Sequence, residues 1–247
     1  ASSKFSDSSG NLNADGSDAN NSVTLTVDTL RPTISISSDV ASLKAGETAS
    51  LSFSLSESST NFAADDLSIS GGTVSNFSGS GSSYSATFTP SADSTTNGVI
   101  SVASSKFSDS SGNLNADGSD ANNSVTLTVD TLRPTIFSAE TNSDGTKLVL
   151  TYDEILSANT ASKPDFSVTC DGVKNPVKSV VVSGCDVTLT LANIIEKTQI
   201  ITLTYTDPSI SNDTNAIQDL LGNDAVSSSI PYTANNSRIV LGSTSDP

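Results

Sequence analysis

Apolar residues alternate with Ser and Thr along much of the chain, and this alternation is its clearest structural signal. In Ala49-Ser50-Leu51-Ser52-Phe53-Ser54-Leu55 every second side chain is apolar. Successive side chains of a strand point to opposite faces, so the stretch predicts an antiparallel strand with one face buried. Similar short runs follow at Thr33 to Ser37, Asp66 to Ser70, Val74 to Phe77, Tyr84 to Phe88, Val99 to Ala103 and Ser124 to Val129. Gly71-Gly72 and Pro90 punctuate them, as turn residues do. Beyond Pro134 the runs are Lys147 to Tyr152, Phe166 to Cys170, Lys178 to Val182, Asp186 to Leu191, Gln199 to Thr206 and Ser228 to Thr233. Ala192 to Lys197 is expected to turn as a short helix; no longer stretch has helical periodicity.

The runs fall into units because the sequence repeats. Residues 1–34 and 103–136 are identical, ASSKFSDSSGNLNADGSDANNSVTLTVDTLRPTI. The period of about a hundred residues, with seven or so short strands in each, predicts an all-β chain of tandem immunoglobulin-like β-sandwiches joined end to end. The expected divisions are 1–30, the C-terminal loop and last strand of a preceding repeat; 31–131, a first sandwich; 132–235, a second and divergent one; and 236–247, a tail. Ser22 to Val27 lacks most of the strands it would pack against, so it is expected as an exposed edge strand open to self-association.

Composition narrows the chemistry. Apolar residues make up 34% of the chain, a content that also marks disordered chains, but their alternation with Ser and Thr suits thin half-buried strands better. The formal charge of −16 opposes binding to nucleic acid or anionic membrane surfaces and favours hard cations. No apolar run has the length of a membrane span. The chain has no His, which removes the usual general base and a Ser/His/Asp arrangement. Asp65 and Asp66 are adjacent and would face opposite ways on a strand, poorly placed as an acid/base pair. No enzymatic activity is expected. Cys170 and Cys185 flank two short strand-like segments, so a disulfide between neighbouring strands is one reading and two small buried hydrophobes the other.

Oxygen ligands are plentiful. Three loops carry Asp-x-x-Gly-Asn, at Asp7/Gly10/Asn11, Asp109/Gly112/Asn113 and Asp219/Gly222/Asn223. Glycine supplies the positive φ that lets the Asp and Asn oxygens converge. In a sandwich the same pole receives the incoming linker, with Asp28 or Asp130, and the end of the second strand, with Glu57 or Asp153-Glu154. Each junction is therefore expected to gather Asp28, Glu57 and Asp109, then Asp130, Glu154 and Asp219. Converging carboxylates call for a cation, and oxygen-only ligands point to Ca²⁺ before Mg²⁺ or Zn²⁺. Weaker candidates are Asp117 and Asp120, in a loop that partly fits a calcium-binding pattern, and Asp207, Asn212 and Asp213.

On these residues a resemblance can be named. The first unit resembles the bacterial Ig-like repeats of giant RTX-type adhesins, through Leu55-Ser56-Glu57, Asp65-Asp66-Leu67, Tyr84-x-Ala-x-Phe88, Asp109-x-x-Gly-Asn113 and Asp130-Thr131-x-x-Pro134. The second is similar to repeats of very large cyanobacterial cell-surface proteins of the swimming-motility type. The matching residues are Tyr152-Asp153-Glu154, Phe166-x-Val168, Val187 to Leu191, Tyr205-Thr206-Asp207-Pro208 and Ile217-Gln218-Asp219-x-x-Gly-Asn223. The resemblance implies a calcium-stiffened extender of a secreted or cell-surface bacterial adhesin, whose partners are neighbouring repeats of the same chain. A glycan- or protein-binding module and a self-assembling surface-layer or filament subunit are the alternative expectations.

Overall fold

A computed structural model describes residues 2–14, 19–117, 121–158, 161–209, 211–228 and 232–234. The first unit contains β1 (Ile34–Ser38), β2 (Ser42–Lys44), β3 (Ala49–Ser59), β4 (Leu67–Ser70), β5 (Gly72–Pro90), β6 (Gly98–Val102) and β7 (Ser124–Asp130). They form two sheets, ordered β1-β3-β5 and β2-β7-β6-β4, and β2 runs parallel to β7. The second unit contains β8 (Ile136–Thr141), β9 (Lys147–Tyr152), β10 (Phe166–Cys170), β11 (Val173–Lys174), β12 (Val177–Ser183), β13 (Asp186–Leu191), β14 (Ile201–Tyr205) and β15 (Tyr232–Ala234). Its sheets are ordered β12-β13-β9-β8 and β11-β10-β14-β15. The chain is therefore all-β, a tandem of two sandwiches.

The alternation in β3 does what its period requires: Ala49, Leu51, Phe53 and Leu55 are buried, and the serines between them face water. Inside the first unit the rings of Phe53, Phe62, Phe77, Tyr84 and Phe107 pack edge-on or tilted, except that Phe77 and Tyr84 stack, with centroids 5.0 to 5.9 Å apart. The Tyr84 hydroxyl donates to Ser59 O at 3.0 Å, so the one polar group of this cluster is paired. The extended run β5 folds back on itself, because Asn76 Nδ2 donates to Thr87 Oγ1 and Ser78 Oγ meets Ser85 Oγ at 3.3 Å. Gly79 and Gly81, both at positive φ, let the chain reverse there. The second core gathers Leu148, Leu150, Tyr152, Val187, Leu189, Leu203 and Tyr205, also at alternating positions.

Three expectations are corrected. Ser22 to Val27 is not a strand, although the same letters form β7 at Ser124–Asp130. In β7, Leu127 and Val129 are buried between β6 and β2; Leu25 and Val27 have no such neighbours and stand 76% and 77% exposed. A strand is stabilised by cross-strand pairing and packing, and among the described residues Val23 to Val27 pair with no strand and stand exposed. Cys170 and Cys185 are free. Cys170 ends β10 opposite Ile201, at the far end of one sheet, while Cys185 lies in the turn before β13, at the pole where β9 ends in the other. A disulfide needs Cα atoms within about 7 Å, so cysteines at opposite poles of a sandwich cannot bridge. Ala192 to Lys197 is irregular rather than helical: Ile195 is buried, and its N–H donates to Gly145 O across the loop.

The ring of Phe88 is wedged between Gly72 and Gly98. A Cβ on Gly98 would stand 2.5 Å from Phe88 Cζ. Gly98→Ala is expected to cost about 1–3 kcal/mol of stability by overpacking, measured by urea unfolding. Phe88→Leu in the Gly98→Ala background should recover part of that loss, as a steric cause requires.

Candidate metal centre

Each Asp-x-x-Gly-Asn loop folds by the same local bonds. Asp219 Oδ1 accepts the N–H groups of Leu221 and Asn223, both at 2.8 Å, and Asp219 Oδ2 accepts from Asn223 Nδ2 at 2.7 Å. Asp109 is held likewise by the N–H groups of Ser111 and Asn113 and by Asn113 Nδ2, all at 2.8 Å. Asp7 repeats the pattern with Ser9 and Asn11. The glycine enters the left-handed region in all three, at φ +90°, +89° and +86° for Gly10, Gly112 and Gly222. These donors favour the charged form, and they hold the carboxyl groups of Asp7 and Asp109 below the usual carboxylate range.

Beside the loop of the first unit stand a linker carboxylate and a strand-end carboxylate. Asp28, Glu57 and Asp109 each bring one oxygen to within 4.8 Å of the others. Asp28 is positioned by Leu30 N–H at 3.1 Å and Ser111 Oγ at 2.9 Å, and Asn113 Nδ2 donates to its backbone oxygen. The second unit repeats the loop and linker bonds but not the close cluster: among the described residues only Asp28, Glu57 and Asp109 bring their oxygens within 4.8 Å of one another. Asp130 accepts from Leu132 N–H at 3.1 Å, and Asn223 Nδ2 donates to Asp130 O at 3.0 Å. Glu154 lies within the field of both Asp219 and Asp130.

The two glutamates are the groups left over. Glu57 Oε1 and Glu154 Oε1 are buried atoms with no hydrogen-bond partner. Partial burial, then the neighbouring aspartates, push the Glu57 carboxyl up and that of Glu154 up to about 7. An orphaned buried oxygen among carboxylates is a place that a positive charge would fill. The donor set is carboxylate, carbonyl and amide oxygen, which fits a hard cation such as Ca²⁺ and offers nothing soft.

Other expected ligands stand elsewhere. Asp153 turns away, accepting from Thr135 N–H at 2.8 Å and Thr135 Oγ1 at 2.5 Å. Asp117 is buried as an acceptor for Ile34 N–H at 2.6 Å, pinning the start of β1. Asp7 has its loop but no companion carboxylates among the described residues. Asp213 accepts from Asn215 N–H, and Asp207 from Ser209 N–H. Asn212 works between units: its Nδ2 donates to Ala45 O at 2.9 Å, and its Oδ1 accepts Asp224 N–H at 3.1 Å. Asp120 lies outside the described residues. Asp224, which the sequence did not single out, is buried and accepts from Asp213 N–H and Gln218 Nε2.

The linker ties both sides. Thr131 Oγ1 donates to Ser91 O at 2.7 Å and accepts from Ser94 N–H at 3.0 Å, which anchors it to the first unit. Arg133 Nη1 reaches Asp224 O of the second unit at 2.9 Å. Arg31 plays the same part at the first junction, donating from Nε to Leu114 O at 2.7 Å.

No curated protein sequence matches the chain. Among solved structures, the N-terminal part of the bacterial S-layer protein SbsC aligns at 26% identity over 42% of this chain and 24% of its own, with a TM-score of 0.34. The Escherichia coli adhesin FdeC aligns at 18% identity over 83% of this chain and 64% of its own, with a TM-score of 0.39. The chain thus spans less than two thirds of either. Residues 28–129 match a family described as a bacterial Ig-like domain, and residues 129–210 match a putative flagellar system-associated repeat. The first sandwich is thus similar to a bacterial Ig-like domain, and the second to a putative flagellar system-associated repeat.

Proposed function

We propose that the chain is a spacer segment of a bacterial cell-surface adhesin, in which Ca²⁺ at each junction pole stiffens the array that holds a binding region away from the cell. The observation that carries this reading is the matched pair of orphaned oxygens, Glu57 Oε1 and Glu154 Oε1, each among a linker Asp and a loop Asp. A bound cation would supply the positive charge that these groups lack. Asp219 and Asp109 are already aimed by their own loops. Asp28 brings the linker to the first of these spots, and Asp130 lies in the field of Glu154 at the second, so a cation held among these carboxylates would tie linker to unit and remove hinge freedom. The match of residues 28–129 to a bacterial Ig-like domain favours a structural role, and the end-to-end arrangement suits a spacer. No helix among the described residues is long and apolar enough to cross a membrane.

Thermal unfolding in EDTA and in CaCl₂, with MgCl₂ as the ionic control, tests the proposal. A cation bound only by the folded junction adds about 2.7 kcal/mol at a hundredfold excess over Kd. That corresponds to a rise of roughly 10 °C or more for units of this size. Asp130→Ala should remove most of the rise at the second junction; equal shifts in calcium and magnesium would refute the reading.

The raised carboxyl of Glu154 adds a pH dependence. Between pH 4.5 and about 7 the folded chain binds a proton at Glu154 that the unfolded chain does not. In EDTA, stability should therefore fall as pH rises through that window and level off above it. Glu154→Gln should flatten the fall in urea unfolding at pH 5 and pH 8. Because the proton and the cation compete, calcium affinity measured by calorimetry should be higher at pH 8 than at pH 5.5.

A further inference from the structure

The contact between the two units centres on one buried side-chain amide. Asn223 is fully buried; its Oδ1 accepts Ala45 N–H of the first unit at 2.7 Å, while its Nδ2 donates to Asp219 Oδ2 and to Asp130 O. Two acceptors on one side and a donor on the other fix which end of the amide is oxygen. Lys44 Nζ to Gly222 O at 3.3 Å and Asn212 Nδ2 to Ala45 O at 2.9 Å flank it.

We infer that Asn223 is a clamp that holds the second unit on the first in one orientation, independently of any cation. What it grips is a turn, Lys44-Ala45-Gly46-Glu47, closed by Glu47 N–H to Lys44 O at 3.1 Å, with Gly46 at φ +84° as a type II turn requires. The central grip is on main-chain atoms, so the clamp reads the shape of the turn more than its side chains. Asn113 occupies the same place in the first unit, donating from Nδ2 to Asp109 Oδ2 and Asp28 O. Its Oδ1 meets no donor among the described residues.

The clamp rests on the same junction as the proposed calcium site but stands without it, so the test is made in EDTA on the full chain. ¹⁵N relaxation should report the two units tumbling as one body, with the Ala45 amide protected from exchange. Asn223→Ala should speed Ala45 exchange on the order of tenfold, the loss of one buried hydrogen bond, and give each unit its own shorter correlation time. Ala45→Pro removes only the donor, and proline suits the second position of a type II turn, so the first unit stays folded while the units uncouple. Asn113→Ala, with the same loop but no cross-unit partner, should leave the tumbling unchanged. Two independently tumbling units in the unaltered protein, or unchanged tumbling in Ala45→Pro, would overturn the clamp. Failure of the calcium-specific melting shift, with tumbling still coupled in EDTA, would remove the cation reading and leave the clamp standing.

Discussion

Carboxylates drawn together out of water repel one another unless a proton or a cation joins them, and both junction poles are built on that constraint. The burden is divided unequally. Each loop Asp has three donors from its own Asp-x-x-Gly-Asn turn. Each linker Asp has the N–H of the residue two places on. The strand-end glutamates have an oxygen with nothing, and it is their carboxyl groups that burial and the neighbours push upward. Hydrogen bonds made within a loop can thus set a site's electrostatics before any ligand arrives, by deciding which carboxylate is left unsatisfied.

What could be read from the sequence follows the line between local and non-local bonds. The loops at residues 3–13 and 105–115 share their letters and their structure: Asp7 N–H meets Asn11 O at 3.0 Å, and Asp109 N–H meets Asn113 O at 3.1 Å. Such a turn closes within five residues and needs nothing else. Ser22 to Val27 shares its letters with β7 and nothing of its structure, because a strand's partners lie far along the chain. The three Asp-x-x-Gly-Asn sites were legible for that reason, and the strand was not.

Strand parity explains two further differences. Glu154 shares a face with Tyr152 and Leu150, whose side chains point inward, whereas Asp153 belongs to the outward series and meets Thr135. The two-residue period therefore contained the choice between the adjacent acids, had it been applied beyond the strand's end. For the cysteines, fifteen positions look short, yet β12 runs the length of the unit between them and carries the chain to the other pole. The Asn223–Ala45 contact spans 178 positions, and no local pattern announces it.

The second unit departs from the first at most positions and keeps the joint, and the chemistry of the joint accounts for this. Arg31 and Arg133 both bond to main-chain oxygens, of Leu114 and Asp224, so those side chains are free to differ. Ser111 gives way to Leu221 at the cost of one bond to the linker carboxylate, while the Asp and Asn of the loop remain. The turn gripped by Asn223 is held through its N–H, and Asn212 holds its carbonyl. A joint made of backbone atoms and a few fixed side chains constrains the ends of a sandwich and little of its faces. Units with different strands can then be chained by one linker, which is what the proposed spacer role would need.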